Sequence, residues 1–335
     1  MKFFATLLLA LLVCALAAAG LLGYQVYTPY GPTTETFVDI APGTGSGTIA
    51  TELQAAGVIR SRYSFELLRL REGGTLKAGE YRFDHPADVR EVYSRMLRGD
   101  VYTLALSIPE GFNLFDIAQA IEKAGLGSRE AFLTAARQHT ELIAEWQSES
   151  PDAIKAQSLE GYLFPDTYHF SRHATPLQML TAMVKRFRQE TVVLGLAEDV
   201  PRTVILASLI EKEVSQDSER PLVASVFENR LAQRMPLATD PTVIYAAMLD
   251  DRWRGTIYAS DLQSQSPYNT YRHTGLPPGP ICSPGFAAIR AAMHPAKSDY
   301  LYFVSDAAGH SRFSVDLKQH TKQVQAYRKA RRGGR

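Results

Sequence analysis

Two glutamates, Glu211 and Glu213, stand two residues apart in an apolar segment, Val204-Ile205-Leu206-Ala207-Ser208-Leu209-Ile210-Glu211-Lys212-Glu213-Val214. The segment reads as one helix. At about 100° per residue, Glu213 projects among Leu206, Leu209 and Ile210, in the middle of the apolar stripe. Glu211 points about 160° away, on the side of Ser208 and solvent. One of the two carboxyls is therefore aimed at the core or a cleft. Lost hydration there favours the neutral form and raises the pKa. The nearby helix C-terminus, whose dipole disfavours negative charge, acts in the same direction. A carboxylic acid that holds its proton is what general-acid cleavage of a sugar bond requires. The plain structural alternative is a core-edge glutamate that reaches to solvent or pairs with an arginine such as Arg230.

Other reactive types are less well placed. His169 and His173 have an i, i+4 spacing, but the segment lacks the glutamate of a zinc-peptidase helix. No metal site is expected. No Gly-x-Ser-x-Gly elbow occurs. Cys282 lies in a tight Pro/Gly loop with no evident base. The glycine-rich Pro42–Gly47 turn lacks the Lys-Ser/Thr of a phosphate loop and reads as a turn into a helix.

Three polar-aromatic stretches are more informative: Glu160–Tyr168, Thr239–Tyr245 and Ser266–Pro280. They gather amides, hydroxyls and flat rings of the kind that line a saccharide groove. The candidate sugar contacts in them are Tyr162, Asp166, Asp240, Tyr245, Asn269 and Tyr271. Asp240 is also the expected helix cap in its stretch. The alternative is that the prolines and glycines only shape the fold and that the tyrosines are core.

The elements that must position these residues follow from the patterning. Phe3–Gly23 is an uncharged apolar run. Such a run spans roughly 30 Å as a helix, the thickness of a bilayer core. Tyr24, Tyr27 and Tyr30 follow it as an interfacial belt. An uncleaved anchor over residues 1–25 is expected in preference to a cleaved signal peptide, with the rest of the chain outside the cytoplasm. Residues 26–34 form a linker. Residues 35–100 contain a strand–helix–helix–strand unit that looks like a LysM-type glycan-binding module. Residues 101–329 carry helices and short strands, and 330–335 form a basic tail. The fold class is α+β. A net charge of +1 over 335 residues, with 21% charged, does not suggest a nucleic-acid binder. With Cys14 inside the apolar run, no disulfide framework is expected.

The string LASLIEKEVSQDSERPLVASVFENRLAQRMPLATDPTVIY, from Leu206 to Tyr245, resembles the endolytic murein transglycosylases (the MltG, YceG-like family). EGYLFPDTY at 160–168, YNTYRHTGLPPGPICSPG at 268–285 and HPAKSDYLYFV at 294–304 match the family as well. The resemblance runs from the apolar helix to the last helix. It implies that the second Glu of Glu-Lys-Glu, Glu213, is catalytic, in agreement with the helical wheel. It further implies an inner-membrane anchor, a periplasmic catalytic domain, peptidoglycan glycan strands as substrate, and no metal or organic cofactor. Cell-wall synthases, the penicillin-binding proteins, are the implied protein partners. The expected reaction is cleavage of the MurNAc-β-1,4-GlcNAc bond within a strand, closing a 1,6-anhydro ring. Two alternatives stay open. One is a hydrolytic muramidase with Asp166 or Asp240 as second carboxylate. The other is a membrane-tethered, non-catalytic glycan-binding scaffold.

Overall fold

The computed structural model describes residues 2–147, 156–214, 216–306 and 310–333. The chain divides into two compact units, Met1–Leu104 and Ala105–Arg335.

The first unit opens with α1 (Lys2–Tyr27). Its window Thr6–Tyr27 has a mean hydropathy of 2.5, long and apolar enough to cross a membrane. Its end packs against the rest of the unit, where Val26 is buried. Beyond it come β1 (Thr36–Ile40), α2 (Ser46–Ala55), α3 (Arg62–Glu72), β2 (Gly79–Phe83) and α4 (Val89–Arg98). The expected strand–helix–helix–strand order is present, and β1 pairs antiparallel with β2, Val38 facing Tyr81. Alternation along β1 and β2 buries Val38, Ile40, Tyr81 and Phe83 against Leu53, Phe65, Val92 and Met96. Asp88 caps α4 by accepting from Glu91 N at 2.8 Å. The stretch expected as a linker is tied down. Tyr30 and Ala87 exchange backbone hydrogen bonds at 3.0 and 3.1 Å.

The second unit is mostly helical. Its elements are β3 (Leu104–Ser107), α5 (Leu114–Lys123), α6 (Arg129–Gln138), a 3-10 turn at Thr140–Trp146, β4 (Thr167–Phe170) and α7 (Pro176–Leu194). Next come α8 (Val200–Glu213), α9 (Arg220–Ala232), α10 (Asp240–Leu249), the one-turn α11 (Ala259–Leu262) and α12 (Phe286–Met293). The hairpin β5 (Tyr302–Ser305) and β6 (Ser311–Ser314) and the final α13 (Leu317–Gly333) complete it. β3 pairs with β4, and β5 runs antiparallel to β6. Of the stretch 147–158, which reads from its polar sequence as a loop or a poorly packed helix, residues 148–155 lie outside the described residues. The residues expected as a basic tail fall at the end of α13 up to Gly333.

α8 is the central element. Pro201 sits in its first turn, where a missing N–H costs nothing. Every residue from Val204 to Ile210 is buried. α12, α9 and α10 all pack on it, as expected of a helix hydrophobic on all sides.

Candidate active site

Glu213 is the last residue of α8. Its carboxyl lines a cavity of about 380 Å³. α9 contributes Phe227 and Arg230, and the following loop contributes Leu237, Ala238 and Thr239. Asp240 opens α10, and Tyr271 enters from the 266–280 loop. Tyr302, Phe303, Leu317 and His320 form the far wall.

Thr239 donates its hydroxyl to Glu213 Oε1. Thr239 is set in place by its neighbours. Ala238 has a positive φ of 50°, uncommon for a residue with a side chain. Ala238 N donates to Thr270 O at 3.0 Å. Thr239 N donates to Thr270 Oγ1 at 3.1 Å. Strain of this kind gathers where the surroundings over-determine a functional loop.

Burial pushes the Glu213 carboxyl above the usual carboxylate range, and the Asp240 charge adds to the rise. The Thr239 hydrogen bond and the Arg230 charge oppose it. Arg230 forms no ion pair with Glu213. Its Nε donates to Leu301 O and its Nη1 to Leu237 O, both at 2.7 Å. The guanidinium lies 5.2 Å from the centre of the Tyr302 ring. Arg230 thus ties α9 to the cavity walls instead of neutralising the acid.

Glu211 departs from expectation. Its side chain is 6% exposed, not solvated. Arg220 Nη2 donates to it at 3.0 Å and Gly285 N at 2.9 Å. Ser208, expected on the same polar face, is fully buried and accepts from Ile281 N at 3.1 Å. The wheel gave the direction correctly. The 280–285 loop and α12 cover the face that it left open.

The candidate sugar contacts separate into two sets. Asp240 and Tyr271 reach the cavity, joined by a 2.7 Å hydrogen bond from the Tyr271 hydroxyl. Asp240 is not the helix cap; that position belongs to Thr239. The other four do not line the cavity. Tyr162 is 1% exposed, stacked on Trp146 and edge-on to Phe187. Asp166 pairs with Arg186 at 2.6 Å, which holds its carboxyl below the usual range. Asn269 is fully buried, and its amide donates to Leu262 O and Ser264 O at 3.0 and 2.8 Å. Its Oδ1 accepts from Tyr271 N at 3.1 Å, so it sets the Tyr271 backbone from behind. Tyr245 is buried and donates to Glu160 Oε2 at 2.8 Å.

Glu160 is the residue that sequence reasoning missed. It is 3% exposed, and burial pushes it up to about 7. Oε2 also accepts from Leu114 N at 2.9 Å, at the start of α5. It therefore links α5 to α10, which carries Asp240. The motif around it shows its type, but nothing local shows its burial. Cys282 is fully buried, and burial raises its thiol well above the ordinary value, as for an inert structural cysteine. His169 lies on β4 and His173 in the turn after it, so the helical spacing assumed for that pair does not exist.

A carboxyl with its pKa raised by burial, a hydroxyl on one of its oxygens and aromatic walls are a layout for acid–base chemistry on a polar substrate. The family model described as "YceG-like family" matches residues 38–326. The chain is 34% identical over 330 residues to an endolytic murein transglycosylase of Bacillus subtilis, covering 93% of this chain and 91% of that protein. It is 30% identical to an endolytic murein transglycosylase of Streptococcus pneumoniae, covering 92% of this chain and 62% of that one. The crystal structure of a yceG-like protein from Listeria monocytogenes aligns with a TM-score of 0.55 at 33% identity. That alignment covers 87% of this chain and 99% of the other. The chain belongs to the YceG-like family.

Proposed function

We propose that this protein is a membrane-anchored endolytic murein transglycosylase with Glu213 as its single acid and base. The carrying observation is the Glu213 carboxyl, desolvated at the end of α8, held by Thr239 and facing an aromatic-walled cavity. Protonated Glu213 donates to the oxygen of the MurNAc-β-1,4-GlcNAc bond as it breaks. The carboxylate then takes the proton of the C6 hydroxyl of the same MurNAc. That oxygen attacks C1 and closes the 1,6-anhydro ring. Thr239 occupies Oε1, which leaves Oε2 to carry the proton both ways. Asp240 and Tyr271 are positioned to bind sugar hydroxyls at the rim.

The relatives named as endolytic murein transglycosylases support peptidoglycan as substrate. The order and pairing of β1, α2, α3 and β2 support a LysM-like glycan-binding role for the first unit. The length and hydropathy of α1 support a single-pass anchor in the inner membrane. The second unit then works in the periplasm, within reach of the penicillin-binding synthases.

Hydrolysis is the second reading, and the presence of Asp240 beside Glu213 favours it. Digestion of purified sacculi followed by mass spectrometry of the products separates the two. The proposal expects 1,6-anhydroMurNAc ends; reducing MurNAc ends would establish hydrolysis instead.

A further inference from the structure

Arg60 and Arg90 lie over tyrosines at the end of α1, and Arg62 opens α3, which packs on α1; none of the three forms an ion pair among the described residues. Arg60 lies over two rings, 5.3 Å from the centre of Tyr24 and 4.5 Å from that of Tyr30. Arg90 lies over Tyr27 at 5.4 Å. Arg62 lies over Tyr63 at 4.8 Å and donates to its hydroxyl at 3.1 Å. All three arginines are exposed. The acidic residues nearby are engaged elsewhere. Asp84 pairs with Arg82 and His85, Glu91 pairs with His85, and Asp88 caps α4. Glu66 alone acts on Arg62 electrostatically.

Tyr24, Tyr27 and Tyr30 follow the apolar run of α1, at the depth where aromatic residues sit between hydrocarbon and headgroups. Stacking on a ring orients a guanidinium and leaves N–H donors on its edge to spare, although Arg62 gives one of its own to Tyr63. A planar fork of donors fits a phosphate in two places at once. The segment cannot swing away, because Tyr30 and Ala87 hold it by paired backbone hydrogen bonds.

We propose that Arg60, Arg62 and Arg90 form a surface for the phosphates of anionic glycerophospholipid headgroups, seating the first unit on the bilayer where α1 leaves it. The inference rests on the reading of α1 as an anchor. It gives the arginines a function separate from glycan binding. It also makes the attachment electrostatic as well as hydrophobic, and so dependent on salt.

The test uses the full chain in vesicles of phosphatidylcholine alone or mixed with phosphatidylglycerol. Flotation is checked first, and then hydrogen exchange over residues 58–63 and 85–91 is compared. Exchange is expected to slow by at least about fivefold in the anionic vesicles, the gain for one arginine near such a surface. Arg60→Gln/Arg62→Gln/Arg90→Gln and high salt should each abolish the difference, while exchange in the β1–β2 pair stays unchanged. A chain that does not float overturns the anchor and this surface together. A chain that floats but exchanges alike in both lipids overturns the surface alone. Equal protection by inorganic phosphate in neutral vesicles would overturn the assignment to lipid.

Discussion

At the scale of residues, the proposed chemistry depends on how tightly Glu213 holds its proton. Burial and Asp240 raise its pKa, and the Thr239 hydroxyl and Arg230 lower it. Removing the Thr239 donor therefore raises it further. Thr239→Val is expected to move the alkaline fall of kcat/KM to higher pH and to lower the maximal rate about 10–100-fold, because the oxygen loses its fixed position. A profile that stays in place would mean that Thr239 does not act on the acid. Glu160 allows a separate test, of stability. Its pKa rises from 4.5 to about 7 on folding, so the native state holds the proton more tightly than the unfolded chain. The resulting stability is complete below about pH 4.5 and is lost as pH rises through about 7, up to about 3 kcal/mol in all. Glu160→Gln stays neutral and keeps an acceptor. Its Tm should gain several degrees on the wild type between pH 5 and pH 8, read by thermal unfolding at each pH. The inward aim of Glu213 was legible because its helix is long and periodic. Glu160, Tyr162, Asp166, Tyr245 and Asn269 were not, because their residue types suit a groove and a core equally. Only the tertiary packing decides between the two.

At the scale of elements, the site depends on how closely the loops press on α8. Gly161 has φ of +85°, and a Cβ there would fall 2.5 Å from Pro280 and 2.8 Å from Val204. Gly161→Ala should cost about 3 kcal/mol or more, from backbone strain and overpacking together, and lower the denaturation midpoint accordingly. An unchanged midpoint would show that the 280–285 loop can give way. Gly285 is seated as closely. Its N–H serves Glu211, and Glu110 occupies the space of a Cβ. The helix α8 and the pair β1–β2 could be placed from periodicity and breakers. β4 and α12 could not. β4 is four residues long, too short for its two-residue alternation to stand out from the surrounding loop. α12 reads FAAIRAAM, where alanines blur the contrast between faces. The solvent face assigned to Glu211 failed for a related reason, since periodicity shows that a face is polar but not what lies over it.

At the scale of the molecule, an apolar helix carries one compact unit, and a second unit holds the candidate site. Deleting residues 1–27 should move the protein from the membrane fraction to the soluble fraction, while digestion of purified sacculi in solution remains within about threefold of the full chain, since no cavity residue is removed. Loss of that digestion would give α1 a part in the site itself. The order of the elements and the place of Glu213 at the end of α8 were accessible from sequence because they rest on local patterns. The Thr239 contact, the Arg230 ties and the burial of Glu160 join segments far apart in the chain and emerge only from the fold. The most direct test of the central claim compares wild type with Glu213→Gln on the same sacculi, with products counted by mass spectrometry. Glu213→Gln should fold and bind glycan as the wild type does, with release of anhydro-muropeptides lowered by about 10³-fold or more. Release at the wild-type rate would contradict that claim.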